Sequence, residues 1–379
     1  MSFRFPELTI QNPSNPSDQD IETGLWCAPG FEPDESAVTV LPSDQSATER
    51  FASISPKHLW LENGSQTIVA LTSPHTNDPA HALYAELSAM FPQFVQATEN
   101  RNRAVLYEGK IRLPHVFSAD AETVARENGE MVYLQKLAHA ADIQAHSTEP
   151  PGDAELRTIQ LHWPTLRQAT GVYTIARMIP HAHRRVPKSW TEAEIAELRE
   201  ACDFWPDPEA AVRSSLAADL EPLPAYIFRY LSARSGEMTP GEYHALYSPD
   251  PIRGRASIAG AANHLKAAHG ITATTEDLCC DPSPEAIDQL FRCTNSPVFT
   301  EPDLETKDLC DLQRVSVLVN RLRDRRITTQ LATLALHGES FFWMSGLLHF
   351  DMSMCALTRI AEERHLKRAA HYTAASSTA

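Results

Sequence analysis

Residues 66–76 read QTIVALTSPHT: an unbroken apolar run that stops at a polar end, His75. A short run of this kind, rich in β-branched residues and bounded by turn formers, predicts a strand buried on both faces. Two other runs close the same way. RAVLYEGK (103–110) brings Glu108 to its end, and SFFWMSGLLHF (340–350) brings His349 to its end. Strands that stop at a polar residue are how an open α/β sheet delivers side chains to its ligand-binding edge. Three such endings, carrying His, Glu and His, predict one shared site on an α/β fold: a short, mainly parallel sheet flanked by helices.

Working outward, KHLWLENGSQTIVALTS (57–73) sets Asn63-Gly64 between two apolar runs, a hairpin signal. Pro79 is expected at the first position of a helix over PAHALYAELSAMF (79–91), where its missing N–H costs nothing. AVLYEG (104–109) is the next strand, a helical stretch starts at Ser118 and breaks near Gly129, and IQAHS (143–147) is a short strand ending before Glu149-Pro150-Pro151. This alternation predicts parallel βαβ units. From about 152 to 304 the pattern turns helical, with a capping box at Thr191 and Glu194, prolines 222 and 224 ahead of AYIFRYLSARS, and ASIAGAANHLKAAHG closed by Gly270. That stretch reads as a large helical insertion or cap. A long helix over 305–336, the strand SFFWMSG and the helix FDMSMCALTRIAEERH follow, and the last residues, AAHYTAASSTA, are expected to fray. Residues 1–56, rich in Pro, Ser, Asp and Asn, read as an extended N-terminal arm, partly disordered or wrapped on the body. The remainder, 57–379, is expected to be a single α/β domain with its sheet parts at about 57–150 and 305–365.

The bulk properties exclude several functions. A net charge of −16 argues against a general nucleic-acid or anionic-membrane surface. The local exception, Arg314, Arg321, Arg323, Arg325 and Arg326, falls on a predicted helix and reads mostly as a solvated face with one or two structural arginines. No stretch reaches the roughly 18 apolar residues of a membrane span, and the N-terminal residues lack the apolar core of a signal peptide. Seven scattered cysteines with no C-x-x-C pair fit reduced thiols in a cytoplasmic protein. There is no H-E-x-x-H helix, P-loop, G-x-S-x-G elbow or G-x-G-x-x-G turn, so the common zinc-peptidase, nucleotide, serine-triad and dinucleotide sites are disfavoured.

The histidines carry the chemistry. Gly346, three residues before His349, is expected to let the backbone turn tightly so that the imidazole faces back over the strand end. Neutral imidazole is the commonest protein metal ligand. With carboxylates from neighbouring strand ends it makes a site for zinc, manganese, cobalt or iron. Read singly, each histidine is better explained by a hydrogen bond inside a loop; the two with Glu108 favour function.

The same stretches resemble a known family. QTIVALTSPHT looks like the opening G-x-x-H strand of the TraB/Tiki proteins, within the wider clan of erythromycin esterases and ChaN-like haem-binding proteins. AVLYEG resembles the clan's strand ending in Glu-Gly, and NGEMVYLQKLAHAADIQAHSTEPP (128–151) its Gly-Glu helix and the strand ending in Glu-Pro. RDRRITTQLATLALHGESFFWMSGLLHF (323–350) is similar to the terminal unit, an Arg-bearing helix and a strand into the second G-x-x-H. The resemblance covers about 57–150 and 305–365. It implies that His75, Glu108 and His349 hold a divalent metal ion. It also implicates Glu130, Glu149 and Arg323, with Glu149 or Glu130 as general base and Arg323 facing a developing oxyanion. The first motif departs from the pattern: Thr72-Ser73-Pro74-His75 has threonine in place of the glycine, and Pro74 restricts Ser73. Asp78, His81, His181 and His183 are weaker candidates, the last two expected on a solvated helix end.

The expected activity is metal-assisted hydrolysis of an amide or ester bond in a peptide or small-molecule substrate. Two alternatives stay open: a tailoring enzyme of small-molecule metabolism (esterase- or lactonase-like) on the same scaffold, and a non-catalytic module binding haem, for which Tyr107 or a histidine would be the axial ligand, or a protein. A homodimer is also left open by the helical stretch.

Overall fold

A computed structural model describes residues 5–38, 55–109, 117–150, 154–173 except 168, 171 and 172, and 309–369. Contacts divide the chain into two units, 1–151 with 298–301 and 321–379, and 152–297 with 302–320. The expected elements at Thr191–Glu194, 225–235 and 256–270, with His181 and His183, lie outside the described residues.

The first unit is built on six strands: β1 (His58–Glu62), β2 (Thr67–Ser73), β3 (Arg103–Tyr107), β4 (Ala145–Ser147), β5 (Ser340–Gly346) and β6 (Lys367–Arg368). They form one mixed sheet in the order β4-β3-β5-β2-β1-β6. The four strands β4, β3, β5 and β2 are mutually parallel, while β1 and β6 run antiparallel at one side. The chain is therefore α/β, with helices on both faces of a short, mainly parallel sheet.

Strand period explains the layering. On β2, Val69 and Leu71 point to one face and Ile68 and Ala70 to the other; on β5, Phe342 and Met344 oppose Phe341 and Trp343. The first face is covered by α2 (Ala82–Ala97) and α4 (Glu130–Ala140), which bring Leu83, Leu87, Met90, Phe94 and Leu134. The second is covered by the C-terminal part of α6 (Asp311–Leu336), the next described α-helix in the chain after α5 (Ala154–His162), and by α7 (Leu347–Glu363), through Ile327, Leu331, Leu357 and Ile360. Both faces of β2 and β5 are buried, which is why these strands are apolar without a polar alternate.

Local chemistry sets the boundaries. The Asn63 carboxamide oxygen accepts from the backbone N–H of Ser65 and Gln66 and so closes the β1–β2 hairpin. Pro79 does not begin α2: residues 78–81 make a turn of their own, with His81 N–H donating to the Asp78 carbonyl, and His81 caps the helix by accepting from Leu83 N–H. The helical stretch starts later than Ser118, at α3 (Ala121–Asn128) with Asp120 as its cap, and it breaks at Gly129, whose φ of 80° ends α3 and begins α4.

The N-terminal segment is wrapped on the sheet unit over its described part. Residues 5–38 include a short helix, α1 (Asp18–Thr23), and bury Phe5, Leu8, Ile10, Leu25, Cys27 and Phe31. This corrects the reading of the arginine run on α6 as a solvated face: Arg321, Arg323 and Arg325 are buried. Arg321 pairs with Glu35 and donates to the Phe5 carbonyl, Arg325 donates to the carbonyls of Gly24 and Leu25, and Arg326 donates to those of Glu22 and Thr148. Guanidinium groups hold planar forks of acceptors, and here they take the backbone carbonyls of Phe5, Glu22, Gly24 and Leu25 in the N-terminal segment. No helix among the described residues is long and apolar enough to cross a membrane.

Candidate functional site

Parallel pairing brings the three predicted strand ends together. β5 lies between β2 and β3, with Ser73 opposite Gly346 and Tyr107 opposite Met344. All three strands therefore finish at the same edge of the sheet, and the residues just beyond them, His75, Glu108 and His349, meet there.

Glu108 is the hub. Its Oε2 accepts from the Gly346 backbone N–H at 2.7 Å, taking the place of a side-chain cap at the start of α7. His75 Nε2 lies 3.8 Å from Oε2, and His349 Nε2 lies 3.5 Å from Oε1. Arg323 Nη2 approaches Oε1 at 3.4 Å and also pairs with Glu149. Each imidazole is backed on its other nitrogen by a second carboxylate: Glu130 Oε1 is 3.2 Å from His75 Nδ1, and Asp324 Oδ1 is 2.5 Å from His349 Nδ1. Ser73 completes the His75 side, its hydroxyl donating to Glu130 and accepting from the His75 N–H at 3.0 Å.

Glycine at 346 serves proximity. Its φ of −57° and ψ of 154° suit any residue, so the expected tight turn is not the reason for it. A Cβ there would stand 2.9 Å from His75 Nε2 and 3.1 Å from Glu108 Oε2. His349 sits in the first turn of α7 and is buried, whereas the His75 side chain is 43% exposed and its backbone is left-handed, with φ 54°.

Burial and charge oppose one another at each group. Burial lowers the His349 pKa, but Asp324 and Glu108 outweigh it and hold it up to about 9. Burial pushes Glu108 up, yet the two histidines and Arg323 leave its carboxyl well below the usual range. For His75, desolvation is overcome by Glu108 and Glu130, so its pKa is raised. Asp324 is raised, burial prevailing over the pull of His349.

The expected residues Glu130, Glu149 and Arg323 all join the cluster, in distinct positions. Glu130 is buried behind His75, Arg323 is buried between Glu108 and Glu149, and Glu149 keeps 28% of its side chain in solvent. Asp78 and His81 are occupied in the turn and the helix cap described above. Two participants were not anticipated, Ser73 and Asp324. Asp324 had a signal: it shares a helical stripe with Ile327, Leu331 and Ala335, all buried, and an acid on an apolar stripe asks for a partner. Ser73, between Thr72 and Pro74, had none.

Four carboxylates (Glu108, Glu130, Glu149, Asp324) surround one guanidinium and two imidazoles here. The Nε2-to-oxygen separations exceed those of N–H···O bonds. They are near the ~3.4 Å between two ligands of one tetrahedrally held ion. As the side chains stand, no group of three or more His, Cys, Asp or Glu among the described residues closes into a metal-holding set. No protein-family model, curated protein or solved structure matches the chain.

Proposed function

We propose that this protein is a metal-dependent hydrolase of amide or ester bonds, TraB/Tiki-like, acting in the cytoplasm on a peptide or small-molecule substrate. One observation carries the reading: two imidazoles from opposite ends of the chain present Nε2 to the same carboxylate, each fixed at Nδ1 by a carboxylate of its own. Carboxylate-backed histidines are the usual surroundings of a catalytic metal. His75, His349 and Glu108 would hold the ion, zinc, manganese, cobalt or iron. A divalent ion supplies Lewis acidity that brings the pKa of a bound water toward neutrality.

The chain's own residues divide the remaining work. Glu149, the part-exposed carboxylate, takes the water proton on Oε2 while its Oε1 stays on Arg323. Arg323 is buried against both Glu108 and Glu149 and orients them, a role different from meeting a substrate oxyanion. Glu130 and Ser73 orient His75. Seven scattered cysteines with no C-x-x-C pair support a reducing setting. The test is elemental analysis of protein purified without chelator, beside the H75A/H349A double variant, with a panel of peptide and ester substrates. The expected result is a bound transition metal and hydrolysis, both lost in the double variant. Unchanged metal content and turnover in that variant would sink the proposal.

A second reading is favoured by the half-exposed His75 ring backed by buried Glu130. That dyad can draw a proton from water without an ion, as an esterase- or lactonase-like enzyme requires. Hydrolysis that survives chelation but not H75A would favour it.

A further inference from the structure

Asp324 is a buried carboxylate whose retention needs a reason. Its side chain is 0% exposed, and Oδ2 has no hydrogen-bond partner among the described residues. Burying a carboxylate costs several kcal/mol unless its neighbours repay it. An apolar residue would suit this helix stripe better, since Ile327, Leu331 and Ala335 continue it into the core. Its hydrogen bond among the described residues joins Oδ1 to His349 Nδ1 at 2.5 Å.

That contact decides which way the imidazole faces. A histidine ring can turn over about its Cβ–Cγ bond, exchanging its nitrogens for carbons at nearly the same shape. With Nδ1 fixed on Asp324, Nε2 is directed at Glu108, 3.5 Å away. The His75 side repeats the arrangement, with Glu130 at Nδ1 and Glu108 facing Nε2. Glu130 has Ser73 as a second partner, whereas Asp324 Oδ2 has none, so the two supports are built differently for the same result.

We propose that Asp324 is the positioning residue of the site: it keeps the proton of His349 on Nδ1 and presents Nε2 to Glu108. The consequence for metal affinity rests on the hydrolase reading above; the ring orientation does not. An isosteric amide is the sharpest probe, because an Asn side chain can donate to Nδ1 and so reverse the arrangement.

The test uses the full chain, metal-free and with zinc ion as the added metal. In nitrogen-15 imidazole spectra of the metal-free protein taken above the raised His349 value of about 9, where the ring is neutral, Nδ1 is expected to carry a hydrogen-bonded proton, and that signal is expected to move in D324N. Zinc affinity by calorimetry is expected to fall about 10–100-fold in D324N, with a melting temperature close to that of the parent. A wild-type spectrum with Nδ1 unprotonated overturns the proposal without any variant. So does a D324N protein that melts lower while zinc affinity and the Nδ1 signal stay unchanged, the result of a merely structural role. Wild-type protein that shows the Nδ1 proton, and its loss in D324N, but binds no zinc would leave Asp324 in place and remove the metal reading.

Discussion

Alanine at position 346 separates the architecture of the site from the stability of the fold. The backbone at Gly346 lies in a region open to every residue, so Gly346→Ala introduces no torsional strain. Relative to glycine it narrows the unfolded ensemble, which favours folding by about 0.4–1 kcal/mol. Against this stands a Cβ 2.9 Å from His75 Nε2 and 3.1 Å from Glu108 Oε2. Ordinary van der Waals contact begins near 3.4 Å, so the imidazole tip must yield by about half an ångström. It can do so cheaply, because the His75 side chain is 43% exposed and the clash is at its far end. Global stability is therefore expected to change by less than about 1 kcal/mol. The site is another matter: displacements of this order in a reacting constellation cost up to ~100-fold. The assays are chemical denaturation for stability, and zinc titration with turnover for function. A G346A protein with parental stability but zinc affinity or turnover lowered at least tenfold is expected. Parental zinc affinity and turnover would refute the claim that the glycine serves the approach of His75 to Glu108.

Three more outcomes follow from the same contacts. His349, raised from 6.5 to about 9, contributes stability that is fully present below pH 6.5 and is lost as pH rises through 9, about 3 kcal/mol at full extent. Glu108, depressed below 4.5, contributes stability present above that value and lost as pH falls through its folded pKa, so the unfolding free energy of the metal-free protein should peak between about 4.5 and 6.5, and H349Q should flatten its alkaline limb. Arg321→Met leaves Glu35 buried without its guanidinium and is expected to cost about 3–5 kcal/mol in urea denaturation, whereas R321M with E35M should recover much of it; a single variant as stable as the parent would show that the N-terminal segment is held some other way. Ser73→Ala removes a donor to Glu130 and an acceptor for His75 N–H, for an expected loss of about 1–3 kcal/mol and weaker zinc binding, measured by denaturation and calorimetry.

The central strands β2, β3 and β5 were legible in the sequence because they are buried and so appear as continuous apolar runs punctuated by Gly, Pro and Asn. The exposed two-residue β6 offers no such run and was not anticipated. The meeting of His75, Glu108 and His349 was legible for a geometric reason: parallel strands share an edge, so polar endings of separate runs coincide whatever their distance along the chain. What could not be read from period or spacing is which charges are paired. The arginines of α6 looked solvated because a run of like charges on a helix usually is. Their acceptors are a distant carboxylate and the carbonyls of an aperiodic segment that offers no pattern to match. The start of α2 was misplaced because Pro79 suits a turn as well as a helix start, and the Asp78 carboxylate tips it to the turn.

The departure in the first motif, threonine for glycine at 72, is compatible with a working site because the two histidine arms solve different problems. Glycine at 346 gives room, and the room is filled by His75 and Glu108. A glycine at 72 would have no such duty: Thr72 is buried and its hydroxyl accepts from the Lys57 backbone N–H, tying the end of β2 back to the start of β1. Position 73 is the register partner of Gly346, and there the hydroxyl of Ser73 binds both the Glu130 carboxylate and the His75 backbone. The left-handed φ of His75, which costs an ordinary residue about 1–2 kcal/mol, is held by that bond. One strand thus brings a hydroxyl to the edge and its neighbour brings the absence of a side chain. The pair together set the spacing of two imidazoles about one carboxylate.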